Sequence, residues 1–250
     1  MRRFLKAELE TIFRKPKLYV LLIVMLGGFT LGAMIDIFFI KSGSMMGEVF
    51  ILAFYAICAI ILVADITHKE YKYGTMKNLI GCGFTRANIY IGKYITTMIV
   101  TLIFILFEKV VKWLYCLSRG TFDSNVFLSS DLMDILRQLF MFSLIFVICM
   151  IIASDSVSLV VSMLYGLILP LVMTIAGGII FGAESNVVPK VSAVLMLSDS
   201  IYIDSVTDAK GIVLSESINT SGLVWFFIGI VLVVALLIGG FQLFKRKEIK

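Results

Sequence analysis

The run LYVLLIVMLGGFTLGAMIDIFFI, residues 18–40, decides the class to which this protein belongs. It holds a single charged residue, Asp36, and about 20 apolar residues suffice for a helix to cross the hydrocarbon core of a bilayer, which is about 30 Å thick. A basic segment before an apolar run is also typical of signal peptides. This run is about twice as long as a signal-peptide core and has no small-x-small cleavage site, so we predict a retained membrane span.

Five further apolar runs of spanning length follow along the chain. Together with the first run they predict an all-α polytopic membrane protein with six transmembrane helices, formed as a single domain over residues 1–250. The composition agrees, because 60% of the residues are hydrophobic and only 16% are charged, against about 25% charged in soluble domains. No room is left for a separate catalytic domain. The five runs cover about 49–66, 94–117, 135–153, 157–181 and 223–244.

The basic residues predict the orientation of these spans. Most of the 22 lysines and arginines precede the first span, lie between the second and third spans, or follow the sixth. The positive-inside rule therefore places both termini and the segment 68–93 in the cytoplasm, with the segment 182–222 outside. The same distribution accounts for the net charge of +5, so we expect no nucleic acid among the partners.

The N-terminal segment has the pattern of an amphipathic helix. Leu5, Leu9, Ile12 and Phe13 fall within one helical arc, and Pro16 stands where a new helix can begin. This pattern predicts a helix lying on the inner surface of the membrane, in contact with lipid. The alternative is a simple cytoplasmic extension of the first span.

The outer segment 182–222 is long and mostly uncharged. Apolar residues at helical spacing around Pro189 predict a short amphipathic or re-entrant helix in this segment. These apolar residues are Val187, Val191, Val194 and Leu195.

The segment between spans two and three reads HKEYKYGTMKNLIGCGFTRANIYIGK, residues 68–93, and is longer than a tether needs. Gly74 breaks the preceding helix, Thr75 can cap a short new one, and Gly83 ends it. Thr85 can then cap the helix of the third span. We predict a short transverse helix whose apolar face fits a partner's groove; the alternative is an interfacial helix that rests on lipid. That apolar face consists of Met76, Leu79 and Ile80.

The residues of this segment also carry a resemblance. They form the pattern E-x-x-x-G-T-x-K-x-L, followed by G-x-S/T-R and then by K. The chain thereby resembles the permease subunits of ABC-2 type ABC transporters, with Thr85 where serine is frequent. The residues that match the pattern are Glu70, Gly74, Thr75, Lys77, Leu79, Gly83, Thr85, Arg86 and Lys93.

The resemblance implies a function and a set of partners. It implies an exporter permease that pairs with a second permease subunit, as a homodimer or heterodimer, and binds a cytoplasmic ABC ATPase through the coupling loop 68–93. Small stand-alone permeases of this size resemble bacterial exporters of peptides and drugs, which implies an amphipathic substrate and a location in the inner (plasma) membrane. The residues that the resemblance assigns to coupling are Glu70, Gly74, Thr75, Met76, Lys77, Leu79, Gly83 and Arg86.

The chain carries no P-loop of its own. That motif requires G-x-x-x-x-G-K-[S/T], and around Gly92 and Lys93 the first glycine is replaced by Ala87 and the hydroxyl residue by Tyr94. We therefore expect this chain to be no enzyme and to bind no cofactor or metal, with ATP and Mg on the separate ATPase subunit. The alternative function is a channel or secondary carrier that is not driven by ATP.

The third span contains charged residues, and ionisable residues at membrane depth are candidates for function. Glu108 and Lys112 are spaced as a helical i, i+4 pair. We favour an exposed pair at the outer interface; the alternative places Glu108 in the substrate path, together with Phe104 and Phe107. Aromatic residues that face lipid are the commoner explanation for the two phenylalanines.

Small residues in two spans indicate close helix packing. Gly28 and Gly32 form a G-x-x-x-G face in the first span, and Gly166 lies in the fifth. Such faces serve either as a seam between two subunits or as packing within one subunit, and the sequence leaves both open.

Overall fold

The computed structural model describes residues 2–39, 46–72, 76–119, 124–152, 154–169, 172, 203–207, 213–218 and 220–246. The helix Asp155–Met163 continues into a π-helical segment, Leu164–Ile168. Two strands, β1 (Ile203–Thr207) and β2 (Val213–Ile218), follow it along the chain. The predicted all-α membrane architecture is confirmed, with this hairpin as an addition. The helices are α1 (Arg2–Phe13), α2 (Pro16–Phe39), α3 (Met46–Lys72), α4 (Met76–Gly81), α5 (Arg86–Arg119), α6 (Ser124–Ile151), α7 (Asp155–Met163) and α8 (Thr220–Arg246).

Helices α2, α3, α5, α6 and α8 overlap five of the predicted spans, and α7 with its π-helical continuation overlaps the described part of the predicted span 157–181. Within the described residues, three stretches are long and apolar enough to cross a membrane, and two apolar helices are shorter. The number of six crossings stays a prediction. The three long stretches are Arg86–Leu114, Leu132–Ile151 and Phe226–Arg246, and the shorter ones are Pro16–Leu31 and Ser156–Ile168.

Helix α3 lies at the centre of the bundle. It packs against α2, α5, α6 and α7, and it is buried on most of its sides along residues 55–68. Small side chains on α3 allow its neighbours to approach closely, and a helix that is apolar all round belongs in a core. The buried small residues are Ala56, Cys58, Ala59 and Ala64.

Helix α8 is held to α5 and α6 by a group of aromatic rings. The ring of Tyr90 on α5 lies 5.3 Å from that of Phe146, 5.5 Å from that of Phe241 and 5.7 Å from that of Phe244, measured between centroids. The Tyr90 hydroxyl donates to the carbonyl of Leu237 at 3.2 Å. These contacts fix the C-terminal end of α8 beside the first turns of α5.

Helix α1 is separate from α2, because α1 ends at Phe13 and α2 begins at Pro16. Pro16 is the first residue of α2, as predicted from its fixed backbone dihedral. The buried face of α1 differs from the predicted arc: Leu5 and Leu9 are half-buried and Phe13 is exposed. Contact with the membrane surface stays a prediction. The buried face consists of Phe4, Glu8 and Ile12.

The strands β1 and β2 form an antiparallel hairpin in which Ile203 pairs with Ile218. Strand β2 packs against α6. Both stretches begin and end with a β-branched residue, a type that strands favour. The helix predicted around Pro189 lies outside the described residues.

Candidate functional site

The short helix α4 ends in a glycine turn. The backbone N–H of Gly83 donates to the carbonyl of Ile80 at 3.0 Å, and that of Phe84 donates to the carbonyl of Leu79 at 3.2 Å. Gly83 has φ +87°. These two hydrogen bonds around a left-handed glycine form a Schellman motif. The predicted helix and its end near Gly83 are therefore present, and we call residues 76–85 the α4 turn.

Gly83 is required by its backbone conformation. A Cβ atom built at this position meets nothing within 4 Å among the described residues, and the same holds for Gly81. Among the described residues, therefore, no close neighbour requires a glycine at this position. A left-handed φ still disfavours any residue other than glycine.

The α4 turn presents one side to the bundle and the other to its surroundings. Leu79 packs against the hydrophobic core, whereas Lys77, Asn78 and Ile80 are exposed. The turn therefore offers a mixed basic, polar and apolar surface. The other predicted coupling positions, namely residues Gly74 and Thr75 and the side chains of Glu70 and Met76, lie outside the described part of the structure.

The start of α5 is capped and anchored. The backbone N–H of Asn88 donates to Thr85 Oγ1 at 3.2 Å, which confirms Thr85 as the predicted cap. Arg86 Nη1 donates to the carbonyl of Lys245 at 2.6 Å. This carbonyl lies in the last turn of α8, where free carbonyls and the negative end of the helix dipole attract a guanidinium. Arg86 thus ties the α4 turn to α8.

Helices α1 and α3 also contact the α4 turn and the first turns of α5. The ring of Phe4 lies 5.4 Å from that of Phe84, between centroids. Lys93 is fully buried; its Nζ donates to the carbonyl of Ile66 at 2.8 Å and lies 3.8 Å from Glu8 Oε2. The lysine that ends the family-like pattern therefore holds α1, α3 and α5 together.

The α4 turn is thus rigidly connected to the rest of the bundle. It continues directly into α5, and the contacts above join it to α1, α3 and α8. A force applied to the exposed side of α4 moves these helices as a group, since packed helices shift as rigid elements. Transmission of motion is therefore what this arrangement can do.

Two polar contacts near this end of the bundle had no clear signal in the sequence. Asp65 accepts hydrogen bonds from Lys15 at 2.9 Å and from Lys17 at 2.7 Å, which joins the start of α2 to α3. His68 is buried, and its Nε2 lies 2.6 Å from Ser158 Oγ on α7. Within the described residues, no three His, Cys, Asp or Glu side chains are grouped to hold a metal ion.

A second polar cluster lies between α5 and α6. The carboxylate of Asp134 accepts hydrogen bonds from Lys109 Nζ, from Arg137 Nε at 3.0 Å and from Gln138 Nε2 at 2.8 Å. Lys109 Nζ also lies 3.6 Å from Glu108 Oε2. We call these five residues the α5–α6 cluster. The members on α6 are Asp134, Arg137 and Gln138, which are spaced i, i+3, i+4. This spacing within an apolar run is the sequence feature that could have indicated a polar face on α6.

The cluster changes the interpretation of Glu108. Its side chain is 2% exposed. The prediction that Glu108 forms an exposed pair with Lys112 is therefore wrong about the exposure of Glu108. The reason is that Lys109, whose Nζ lies 3.6 Å from Glu108 Oε2, also pairs with Asp134 of α6 and so holds this stretch of α5 against α6. Phe104 is fully buried and Phe107 packs against the core, so the explanation as lipid-facing aromatics does not apply to Phe104.

The predicted small-residue faces pack within the subunit. A Cβ atom at Gly28 would lie 2.4 Å from Phe54 Cγ of α3, and one at Gly166 would lie 2.9 Å from Ile60 Cδ1 of α3. Both glycines therefore admit a close neighbour inside the bundle. The surroundings of Gly32 lie outside the described residues.

Comparison with known proteins gives a match to a family described as "ABC-2 family transporter protein", over residues 14–182. This stretch is more than half of the chain and contains α2 to α7, with the α4 turn between them. No curated protein matches the chain.

Proposed function

Because the chain belongs to the ABC-2 family of transporter proteins, a family of membrane transport permeases, we propose that it is the permease subunit of an ATP-driven exporter. ATP and Mg bind to a separate ABC ATPase subunit, and this subunit docks on the α4 turn. The permease acts as a pair with a second permease subunit in the inner membrane of a bacterium.

The observation that carries this proposal is the combination of exposure and anchoring at the α4 turn. Lys77 and Ile80 are exposed on a helix of six residues, which is too short to be stable alone. The Schellman motif and Arg86 nevertheless hold this helix in a fixed orientation. An exposed helix that is fixed in this way suits docking into a groove of a partner.

The proposed working cycle follows from the same contacts. Movement of the ATPase displaces α4, and α5 transmits the displacement along its length because Thr85 and Arg86 attach its first turn rigidly. Lys93 passes the movement to α1 and α3. The spans then open the solute path toward the outside.

The proposed solute is amphipathic and resembles a peptide or a drug. The region between α3, α5 and α6 is filled by buried aromatic residues and contains few charges beyond the α5–α6 cluster. A mostly apolar interior with a few fixed polar groups suits an amphipathic molecule better than a strongly hydrophilic one. The buried aromatics are Tyr55, Phe104, Phe142 and Phe146.

The test compares two glycine variants in the α4 turn. Gly83→Ala places a side chain at φ +87°, whereas Gly81→Ala places one on the last residue of a helix with equally open space. The left-handed conformation costs roughly 1–2 kcal/mol for a residue with a Cβ atom, so only Gly83→Ala distorts the turn. We expect both variants to insert normally and only Gly83→Ala to lose co-purified ATPase subunit or solute-stimulated ATP turnover.

Arg86→Ala provides an independent test of the same proposal. It removes a charged hydrogen bond worth roughly 1.5–3 kcal/mol without changing the exposed surface of α4. The expected result is retained ATPase binding with reduced ATP turnover, because the attachment to α8 is lost. If both this variant and Gly83→Ala behave like the parent, the ATP-driven proposal is wrong. ATP-independent transport by the permease alone would favour the channel or carrier alternative.

A further inference from the structure

The amide of Gln138 is held in a single orientation. Its Nε2 donates to the carboxylate of Asp134 at 2.8 Å, and an ionised carboxylate only accepts hydrogen bonds. The amide oxygen therefore points away from Asp134 as an acceptor. Gln138 is 1% exposed, and its Oε1 has no hydrogen-bond partner among the described residues.

A second buried polar atom lies on the facing helix. Tyr55 of α3 is 1% exposed, and its hydroxyl also has no hydrogen-bond partner within the described part of the chain. The Tyr55 ring contacts Phe142 edge-on, with 6.0 Å between centroids. Phe142 is one helical turn from Gln138 on the same face of α6, so Tyr55 stands over the polar face of α6. It also lies within electrostatic range of Asp134 and Arg137.

The charges of the α5–α6 cluster balance one another. Glu108 and Asp134 carry two negative charges, and Lys109 and Arg137 carry two positive charges within hydrogen-bond or ion-pair distance of them. A charged ligand would leave an uncompensated charge in a medium of low polarity, which is unfavourable. Two uncharged groups beside the cluster have no hydrogen-bond partner among the described residues and could recognise a ligand: the Gln138 amide oxygen, which accepts, and the Tyr55 hydroxyl, which can donate.

We propose that Tyr55 and Gln138 recognise a neutral amide group of the transported solute, with its N–H donating to Gln138 Oε1 and its carbonyl accepting from Tyr55 Oη. The inference rests on the proposed function and deepens it, because it selects peptide-like solutes. Buried polar atoms in proteins are normally paired, and an amide inside a bilayer equally needs partners.

The depth of the pair fits this role. Gln138 lies about 20 Å along α6 from Ile151, at 1.5 Å per residue, and the hydrocarbon core is about 30 Å thick. Gln138 therefore lies inside the membrane, about two thirds of the way from the level of Ile151 to the opposite face. The Asp134, Lys109 and Arg137 contacts position the Gln138 amide and do not bind solute in this scheme.

The test measures binding of two fluorescent probes to the full chain in lipid nanodiscs. One probe is a dansylated leucyl-leucine amide, and the other is the same compound with methyl groups in place of its amide hydrogens. Tyr55→Phe and Gln138→Met should each weaken binding of the first probe about tenfold, the loss of one hydrogen bond. With the methylated probe, Gln138→Met should have no effect, whereas Tyr55→Phe should still weaken binding.

The matched control is Tyr94→Phe. Tyr94 also has a part-buried hydroxyl in the bundle, but this hydroxyl pairs with Ser143 Oγ at 3.1 Å. The variant should therefore bind both probes like the parent. If Gln138→Met fails to insert, Tyr55→Phe keeps the test decisive, because it removes one oxygen atom and keeps the ring contact with Phe142.

Each outcome separates this inference from the proposed function. The inference is overturned if the parent binds neither probe, if it binds both equally, or if Tyr55→Phe binds the amide probe like the parent. Probe binding with the expected pattern, in a permease that retains no ATPase subunit, would overturn only the ATP-driven proposal. Retained ATPase subunit without selective probe binding would overturn only the inference.

Discussion

Replacing Lys93 by methionine is expected to release α1 from the bundle and to lower the free energy of unfolding. Lys93 Nζ donates to the carbonyl of Ile66 at 2.8 Å, and a hydrogen bond to a charged group contributes roughly 1.5–3 kcal/mol. Glu8 Oε2 lies 3.8 Å from Nζ, and the Glu8 side chain is 10% exposed. This longer ion pair adds less than the 3–5 kcal/mol that breaking a well-formed buried pair costs, so we expect a loss of about 3 kcal/mol in total.

The assay is a double-mutant cycle on the purified protein, unfolded with sodium dodecyl sulfate in mixed micelles. Glu8→Gln alone should cost about 1 kcal/mol, because the lysine keeps its bond to Ile66. The double variant should cost less than the sum of the two single variants, by about 1 kcal/mol, since the contact is counted twice in that sum. Faster trypsin cleavage within α1 should accompany Lys93→Met. A neutral Lys93→Met variant, or strictly additive costs, would refute this account of α1.

Three further predictions follow from the orientation, the packing and the α5–α6 cluster. In a background without native cysteines, a cysteine at Lys72 should resist, and one at Asp208 should accept, an impermeant thiol reagent added to intact cells; the reverse labelling would contradict the predicted orientation. Gly28→Ala should lower the thermal unfolding temperature, because its Cβ atom would lie 2.4 Å from a ring carbon of α3, whereas Gly27→Ala, with open space in the described structure, should be neutral or slightly stabilising. Asp134→Asn removes the carboxylate charge that Lys109 and Arg137 contact inside the bundle and should cost about 3–5 kcal/mol in detergent unfolding; a cost below about 1 kcal/mol would show that the cluster is solvated.

Local signals in the sequence predicted the parts of the structure that depend on neighbouring residues. Pro16 and Gly83 mark helix ends because each restricts or permits a particular backbone dihedral. Thr85 caps α5 because its hydroxyl reaches an N–H three residues along the chain.

Contacts between distant residues were the part that the sequence could not predict. Glu8 is a carboxylate beside the predicted apolar arc of α1, yet its side chain is buried next to Lys93, so the face that α1 turns to the bundle differs from that arc. The sequence favoured Glu108 as an exposed partner of Lys112. In the structure, the contact of the neighbouring Lys109 with Asp134 on the next helix keeps this part of α5 in the core. In both places the sequence of one helix is compatible with an exposed and with a buried charged side chain. The packing of a second helix determines which of the two occurs.

The two candidate sites are joined by a single element, and this constrains how the protein can work. Helix α5 runs without interruption from Arg86 to Arg119, so the anchor at Arg86 and the Lys109 contact to Asp134 lie about 35 Å apart on one rigid rod at 1.5 Å per residue. A displacement at the α4 turn must therefore shift Lys109 relative to α6, or α6 must follow. Either movement reorients the Gln138 amide, because among the described residues Asp134 is the group that holds it. Variants at Arg86 should consequently change ATP turnover while leaving probe affinity unchanged in the resting permease, and variants at Tyr55 should do the opposite. A loss of resting probe affinity in Arg86→Ala would mean that the two ends of α5 do not act as separate sites.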